Sequence, residues 1–334
     1  MILRAINFGP VWGASGVQNF TGEGYPFHHI AHLFGLDFTG MTFVAKTTTL
    51  YQREGNMPLR GTSTTPQELL PRCIWVGDWK NLWRGFRKGM VLNSVGLTGP
   101  GAHTLLNKGE WGISGKPFFI SFMSVAETKR ERLDELKGFV RLVASYMQYN
   151  CIRAPFGIQL NYSCPNVGVA HNDKLTEIEE AVKILNELSV PIAVKLSLTT
   201  SVEDMIKIAS IDGVDCLVIT NTIPFGQLPD EINWNRLFHT EVSPLYARDS
   251  KFGVGGLSGK PLFTPLIKRC RDLRAAGWWG QLNAGGGVWY PEHVDMLFNS
   301  GVNGISIGSV AMLRPWRVQE IIRRAHELKF TGRP

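Results

Sequence analysis

Residues 157–161 have the sequence Gly-Ile-Gln-Leu-Asn, and residues 192–196 have the sequence Ile-Ala-Val-Lys-Leu. Each is an apolar run with the length of a buried strand, and each carries a polar side chain near its C-terminal end, Asn161 or Lys195. Between them, residues 176–188 place apolar side chains at helical spacing, which predicts an amphipathic helix. A strand, a helix and a second strand in this order indicate a parallel βαβ unit.

The same alternation of strand and helix patterns continues through much of the chain. Further strands are predicted at residues 118–122, 216–219, 281–283 and 304–307. Helices are predicted at about residues 127–148, 262–276 and 291–299, at the end of the chain, and after Ser201, which has Asp204 three residues on. Both an open doubly wound sheet and a closed barrel fit this pattern.

A closed barrel is favoured by the positions of the polar residues. Asn161, Lys195, Asn221 and the run Gly285-Gly286-Gly287 each lie at or just beyond the C-terminal end of a predicted strand. In a barrel those strand ends converge on one active-site face. We therefore predict an α/β fold, a (β/α)8 TIM barrel, as a single domain over residues 1–334. Loops inserted over its C-terminal face are predicted at about residues 51–90, 99–116 and 223–252.

Length and composition exclude several classes of function. A chain of 334 residues with 44% hydrophobic and 19% charged residues is not disordered as a whole. The formal net charge of +7 comes from scattered lysines and arginines, which argues against nucleic-acid binding and suits small anionic ligands or a solvated surface. No apolar run is long enough to span a membrane, and the five cysteines contain no Cys-x-x-Cys pair. We expect no membrane association, no metal site and a cytoplasmic location.

The segment with the clearest chemistry is Asn161-Tyr162-Ser163-Cys164-Pro165-Asn166. Two carboxamides flank a thiol directly after a predicted buried strand. Because a carboxamide offers both donors and an acceptor, a pair of them suits the edge of a cyclic imide or pyrimidine. A loop cysteine can accept a proton if its pKa lies near neutrality. From local chemistry alone, a structural turn in which asparagine caps backbone groups remains an alternative.

Asn-x-Ser-Cys-Pro-Asn at residues 161–166 resembles the active-site loop of class 1 dihydroorotate dehydrogenases, which are FMN enzymes built on a (β/α)8 barrel. Further segments resemble motifs of this family, in the family's order, over about residues 9–325. They are Ala14-Ser15-Gly16, Ala45-Lys46-Thr47-Thr48-Thr49-Leu50, Arg53-Glu54-Gly55-Asn56, Leu92-Asn93-Ser94-Val95-Gly96-Leu97, Val194-Lys195-Leu196, Thr220-Asn221-Thr222, Gly255-Gly256-Leu257-Ser258-Gly259, Gly285-Gly286-Gly287 and Ile307-Gly308-Ser309. Leu97 is followed by Thr98-Gly99, where the family usually continues Pro-Asn.

The resemblance implies oxidation of (S)-dihydroorotate to orotate in de novo pyrimidine biosynthesis, with FMN as the cofactor. It makes Cys164 the base that takes the C5 proton while hydride leaves C6 for flavin N5, and it places Lys46 at the substrate carboxylate and beside the flavin. Cys164 and Lys46 are therefore the expected catalytic residues. The substrate-binding residues that it implies are Lys46, Asn93, Gly96, Leu97, Asn161, Asn166, Asn221 and Thr222.

The resemblance also implies a set of flavin contacts. Lys195 would lie near flavin N1 and O2, where a cation stabilises reduced flavin. Glycines after the last two strands would hold the phosphate through backbone N–H groups. The complete set of cofactor-binding residues is Ala14, Ser15, Gly16, Lys46, Thr47, Asn161, Lys195, Gly256, Gly286, Gly287, Gly308 and Ser309.

Several alternatives stay open at this point. A related flavin barrel acting on another pyrimidine, such as the pyrimidine-reducing domain of dihydropyrimidine dehydrogenase, would share the barrel and the cysteine. An FMN-binding subunit that depends on a partner is a second alternative. We expect a homodimer, and an additional, separate electron-transfer subunit stays open. The sequence does not identify the oxidant: a soluble acceptor such as fumarate would suit the homodimer, whereas NAD would need the separate subunit. His28 and His32 have a spacing that permits a metal, but a packed or solvated helix is preferred.

Overall fold

The computed structural model describes residues 1–61, 63–77, 84–111, 113, 115–162, 171–219, 221–328 and 330, with the backbone alone for residues 171–174. The strands are β1 (Ile2–Leu3), β2 (Ile6–Asn7), β3 (Val11–Gly13), β4 (Ile74–Trp75), β5 (Met90–Asn93), β6 (Phe118–Phe122), β7 (Phe156–Asn161), β8 (Ile192–Leu196), β9 (Cys216–Ile219), β10 (Ile223–Pro224), β11 (Gly256–Gly259), β12 (Leu282–Gly285) and β13 (Gly304–Ile307). The helices are α1 (Pro26–Leu33), α2 (Arg84–Lys88), α3 (Ala102–Asn107), α4 (Lys129–Gln148), α5 (His171–Asn186), α6 (Val202–Ala209), α7 (Trp234–Phe238), α8 (Pro244–Arg248), α9 (Phe263–Ala275), α10 (Pro291–Asn299), α11 (Ser309–Leu313) and α12 (Val318–Glu327).

The apolar runs of the sequence form a parallel sheet that closes into a barrel. Seven strands pair in the order β3-β13-β12-β9-β8-β7-β6. Residues 42–48 occupy the remaining position, because Thr42 bridges to Trp12 of β3 while Val44 and Thr48 bridge to β6, all in parallel. This closure confirms the predicted (β/α)8 barrel and excludes the open sheet.

Local sequence signals determine where several helices begin. Thr128 precedes α4 and forms a capping box with Glu131, which satisfies two backbone donors at the helix start. Ser201 caps α6 by accepting from the backbone N–H of Asp204 at 3.1 Å, as the sequence predicts. The buried apolar faces of α4 and α6, which include Leu136, Val140 and Met205, then join the main hydrophobic core.

One end of the barrel is filled by aromatic side chains. Phe8 and Phe119 stack with their ring centroids 4.2 Å apart, and Trp12 lies 4.4 Å from Phe119. Met1 and Leu3 join the same buried cluster. Because these residues precede β3 or lie early in the strands, they close the end of the barrel where the strands begin. A ligand site is therefore left to the opposite end, as in barrels generally.

The inserted segments form a second, antiparallel sheet with the order β10-β11-β5-β4. The stretch 223–252, expected to be irregular, includes β10, α7 and α8. In this stretch, α7 is bonded to α2. Arg84 of α2 donates to the carbonyl of Phe238 at 2.6 Å, and Lys88 donates to the carbonyl of Leu237 at 3.1 Å. Cations at a helix C-terminus stabilise its unpaired carbonyls. The assignment of residues 1–334 to one domain stays a prediction.

No helix in the part of the chain that the structure describes is long and apolar enough to span a membrane. The described residues also contain no group of three or more histidine, cysteine, aspartate or glutamate side chains arranged to hold a metal ion.

Candidate active site at the C-terminal end of the barrel

A cavity of about 720 Å³ opens where the barrel strands end, a size typical of small-ligand sites. It is lined by every described residue that the sequence assigns to the site: Ala14, Ser15, Gly16, Lys46, Thr47, Asn93, Gly96, Leu97, Asn161, Lys195, Asn221, Thr222, Gly256, Gly286, Gly287, Gly308 and Ser309. Cys164 and Asn166 lie outside the described residues. The structure thus brings together side chains that are up to 295 positions apart in the chain (Ser309 minus Ala14).

Lys46 is the first of two buried amines at this cavity. It lies within the barrel segment 42–48, and the residue is only 8% exposed. Its Nζ donates to the carbonyl of Thr98 at 2.5 Å and lies 4.4 Å from the centroid of the Phe20 ring. Burial lowers the pKa of Lys46 to about 7, because a charged amine loses its hydration there.

Lys195 is the second buried amine, at the end of β8 and also 8% exposed. Burial alone lowers its pKa to about 8. Two amines that have been removed from water favour a ligand that supplies negative charge, since an anion restores part of the lost solvation. The burial of both residues excludes the alternative that they are ordinary surface charges.

Three of the four described carboxamides that line the cavity are Asn161, Asn221 and Asn93, which come from different parts of the chain. Asn161 ends β7 and donates to the hydroxyl of Thr47 at 3.3 Å. Asn221, just after β9, donates to the side-chain oxygen of Asn161 at 3.4 Å. Asn93 ends β5 and donates to the carbonyl of Gly256 at 3.4 Å. Together they supply donors and acceptors of the kind that recognise a heterocycle edge.

A chain of hydroxyl groups fixes the floor beside these amides. Ser15 lies 2.9 Å from both the carbonyl of Ala45 and the hydroxyl of Thr47. Thr47 in turn lies 2.9 Å from the hydroxyl of Ser121 on β6. These bonds fix the turn after β3 relative to residues 42–48. The hydroxyl of Thr47, to which Asn161 donates, is therefore held in a defined position.

Glycines line the cavity where β12 and β13 end side by side. Gly286 and Gly287 have φ angles of +121° and +80°, a region that favours glycine. A Cβ at Gly287 would lie 2.7 Å from the backbone nitrogen of Phe263, and one at Gly308 would lie 3.0 Å from Cβ of Ala14. Bare backbone thus faces the cavity after the last two barrel strands, where barrels frequently bind phosphate.

The loop that contains Gly96 and Leu97 has an unusual backbone. Both residues have positive φ angles, +70° and +57°, and for leucine this conformation is strained. Neighbouring side chains hold it: Arg53 donates to the carbonyl of Gly96 at 3.2 Å, and Asn56 donates to that of Ser94 at 2.8 Å. A strained loop that its surroundings maintain is typical of a ligand-binding segment.

Sequence reasoning missed the contribution of α1 to the cavity. Tyr25 and His28 line it, and the hydroxyl of Tyr25 donates to the carbonyl of Gly16 at 2.8 Å. Burial, with smaller effects from His32 and His29, lowers the pKa of His28 to about 4, so that it is neutral at pH 7. Lys251 and Glu68 were also missed. No local motif marks these residues, because the packing of segments outside the barrel strands places them at the site.

These features define the class of protein: an α/β barrel with a buried, amine-containing ligand cavity at the C-terminal ends of its strands. A family model described as dihydroorotate dehydrogenase matches residues 84–277. Two relatives are catalytic subunits of dihydroorotate dehydrogenase B (NAD(+)). The relative from Caldicellulosiruptor saccharolyticus is 27% identical, and the alignment covers 70% of this chain and 71% of the relative. The relative from a Geobacillus species is 25% identical, and the alignment covers 94% of this chain and 84% of the relative.

Among solved structures, dihydroorotate dehydrogenase from Eimeria tenella in complex with ferulenol aligns with a TM-score of 0.63 at 16% identity, covering 96% of this chain and 82% of that one. This similarity supports the fold. The chain belongs to the dihydroorotate dehydrogenase family, as the sequence predicts. Members of the family are flavoproteins of pyrimidine biosynthesis and oxidoreductases that act on a CH–CH bond.

The unfolding free energy of the flavin-free chain should rise between about pH 7 and pH 9. Folding lowers the pKa of Lys46 from 10.5 to about 7. Within that window the unfolded chain retains a proton that the folded chain has released, so stability increases with pH, by up to about 1.4 kcal/mol per pH unit. Urea unfolding at several pH values measures this slope.

The variant Lys46→Met should reduce the slope between pH 7 and pH 8, whereas Lys183→Met, at an exposed position on α5, should preserve it. Part of the rise above pH 8 should remain in Lys46→Met, because burial also lowers the pKa of Lys195 to about 8. The series ends near pH 9 because burial raises the pKa values of Cys73 and Cys216 above their ordinary value of 9.0, which reverses the sign of the slope at higher pH. An unchanged slope between pH 7 and pH 8 in Lys46→Met would contradict the assignment to this amine.

Proposed function

We propose that this chain oxidises (S)-dihydroorotate to orotate and that its cofactor is FMN. The observation that carries the proposal is the convergence of Lys46, Asn93, Asn161 and Asn221 on one cavity. A buried cation and several carboxamides match a substrate that combines a carboxylate with an alternating pattern of ring N–H and C=O groups. Family membership supports the same reaction.

The residues at the cavity fit FMN. Gly286, Gly287, Gly308 and Ser309 would hold its phosphate, because bare backbone reaches the cavity at the ends of β12 and β13. The buried amine of Lys195 would lie against the flavin ring and favour its reduced, negatively charged form. The remaining flavin contacts would come from Ala14, Ser15, Gly16, Lys46, Thr47, Asn161 and Gly256. When bound, FMN supplies the hydride acceptor.

The chain's own groups would orient the substrate and move a proton. Lys46 and the backbone N–H groups at Gly96 and Leu97 would bind the carboxylate. Asn93, Asn161, Asn166 and Asn221 would pair with the ring edge, assisted by Thr222. Leaving one such buried amide unpaired costs about 1–3 kcal/mol, which would discriminate against rings with a different edge. The thiolate of Cys164 would accept the proton from C5.

Dihydroorotate should bleach the bound flavin under anaerobic conditions, whereas dihydrouracil and dihydrothymine should not. The latter two lack the carboxylate that Lys46 is proposed to bind. Stopped-flow flavin absorbance with each compound at equal concentration measures the difference. Rapid bleaching by dihydrouracil without bleaching by dihydroorotate would instead favour a barrel of the dihydropyrimidine dehydrogenase type.

We infer further that electrons leave through a separate electron-transfer subunit. The relatives are catalytic subunits of an NAD(+)-linked enzyme, and this name implies a second chain. The alternative is direct oxidation by a soluble acceptor such as fumarate in a homodimer. Turnover of the purified chain with NAD, fumarate and an artificial dye distinguishes them: dye reduction alone supports a missing partner, and rapid fumarate reduction opposes it. A cytoplasmic location stays a prediction.

A further inference from the structure

Thr98 joins the two loops that border the carboxylate end of the cavity, residues 53–57 and residues 93–99. The residue is only 1% exposed. Its hydroxyl lies 2.7 Å from the carbonyl of Glu54 and 2.9 Å from that of Val95, and it accepts from the backbone N–H of Met57 at 3.1 Å. A hydroxyl has one donor hydrogen and two acceptor lone pairs, so this single group serves both loops.

The contact between the two loops is close at this point. A Cβ at Gly55 would lie 2.2 Å from the hydroxyl oxygen of Thr98 and 2.6 Å from the carbonyl of Val95. Arg53 and Gly99 also exchange backbone hydrogen bonds of 2.8 and 2.9 Å. The position of the Thr98 backbone is therefore determined by its own side chain together with the neighbouring loop.

That backbone holds Lys46. The carbonyl of Thr98 accepts from Lys46 Nζ at 2.5 Å, and the Phe20 ring lies 4.4 Å from the same nitrogen. Gly99 allows the ring to lie there, because a Cβ at this position would be 2.8 Å from Cζ of Phe20. An ammonium group has three donors, and the carbonyl of Thr98 occupies one of them.

We infer that Thr98 is a positioning residue for Lys46: its hydroxyl fixes the loop carbonyl that orients the ammonium group toward the substrate carboxylate. The inference rests on the proposed function. It concerns the Thr98-Gly99 pair, where the chain differs from the Pro-Asn that is usual in the family. A proline at position 98 would have a carbonyl but no hydroxyl. The hydrogen bonds of the Thr98 hydroxyl therefore depend on the threonine that this chain carries.

The test compares orotate binding to the FMN-loaded protein, followed by flavin absorbance, in Thr98→Val, Thr98→Ser and the wild type. Valine keeps the shape of threonine and removes the hydroxyl, so the Kd of orotate should rise about tenfold, as expected for one misdirected charged hydrogen bond. The KM for dihydroorotate should rise by a larger factor than kcat falls. Serine retains the hydroxyl and should restore binding to within about twofold of the wild type.

Thr49→Val is the matched control. Thr49 is 2% exposed, and its hydroxyl donates to the carbonyl of Tyr51 at 2.7 Å, but it does not line the cavity. This variant should lose stability without weakening orotate binding. Equal weakening in Thr49→Val and Thr98→Val, or failure of Thr98→Ser to restore binding, would overturn the inference. If Thr98→Val does not fold, Thr98→Cys replaces it: its thiol is a weak donor, so binding should still weaken, and wild-type affinity would overturn the inference.

A crystal structure of Thr98→Val separates this inference from the proposed function. If the wild type binds no orotate, the proposed function fails, but the role of Thr98 can still be decided from the position of Lys46. Departure of Lys46 Nζ from the carbonyl of residue 98 supports the inference. An unchanged contact in the absence of the hydroxyl overturns it.

Discussion

Cys164→Ala slows flavin reduction by dihydroorotate about 10²–10⁴-fold at neutral pH, the usual contribution of a general base, while FMN stays bound. The alanine side chain cannot accept the C5 proton, so the C–H bond must break without a base. Flavin binding should survive because the proposed contacts with the phosphate and ring come from other residues, such as Gly287 and Lys195. Anaerobic stopped-flow measurement of flavin absorbance gives both the rate and the bound fraction.

Cys151→Ala is the matched control, because Cys151 is a free and exposed cysteine. Its loss should leave the rate of flavin reduction unchanged. Cys164→Ser should recover rate only as the pH rises, since a hydroxyl is deprotonated at higher pH than a thiol. If Cys164→Ala reduces the flavin as fast as the wild type, another group is the base.

The barrel was predictable because its strands and helices have simple periodicities. The bounds predicted for residues 118–122, 192–196, 216–219 and 304–307 are those of β6, β8, β9 and β13. Residues 42–48 show why periodicity alone does not find every strand position: three of the seven are threonine and one is lysine, and they join the sheet only through isolated bridges. Periodicity therefore predicts no strand at this position.

The part of the site that could be predicted consists of polar side chains at the C-terminal ends of strands. Asn161, Lys195 and Asn221 could be placed together because parallel strands end on one face. The contacts of Thr98 and the lining by Tyr25 could not be predicted, because they depend on how segments outside the barrel strands fold over its C-terminal end. The exposure of Cys151 could not be predicted either, because it depends on where the segment after α4 lies on the folded protein.

A buried ion pair joins α4 and α5, the helices that precede and follow β7 in the chain. Arg132 of α4 donates to both carboxylate oxygens of Glu177 on α5, at 2.7 and 2.6 Å, and the two side chains are 6% and 3% exposed. Arg132 also donates to the carbonyl of Glu127 at 2.6 Å. Burial and a hydrogen bond to Glu177 raise the pKa of Tyr162, so this tyrosine stays protonated and donates to the pair.

Glu177→Ala should lower the free energy of unfolding by about 3–5 kcal/mol, because it leaves the guanidinium of Arg132 buried without a counter-charge. Glu179→Ala provides a control on the same helix. Glu179 pairs with Lys183 at 2.7 Å, but these side chains are 50% and 67% exposed, and such a pair contributes only about 0.3–0.5 kcal/mol. Urea unfolding of both variants measures the difference.

The loss of unfolding free energy in Glu177→Ala should arise because the buried guanidinium of Arg132 has no counter-charge. The lost attraction between Arg132 and Glu177 should contribute less. Replacing both partners, as Arg132→Met with Glu177→Leu, removes the two charges and fills the space with apolar groups, so most of the stability should return. If the double variant is as unstable as Glu177→Ala, the loss arises from packing between α4 and α5. If Glu177→Ala and Glu179→Ala lose the same small amount, water reaches the Arg132 guanidinium and the pair is not buried in solution.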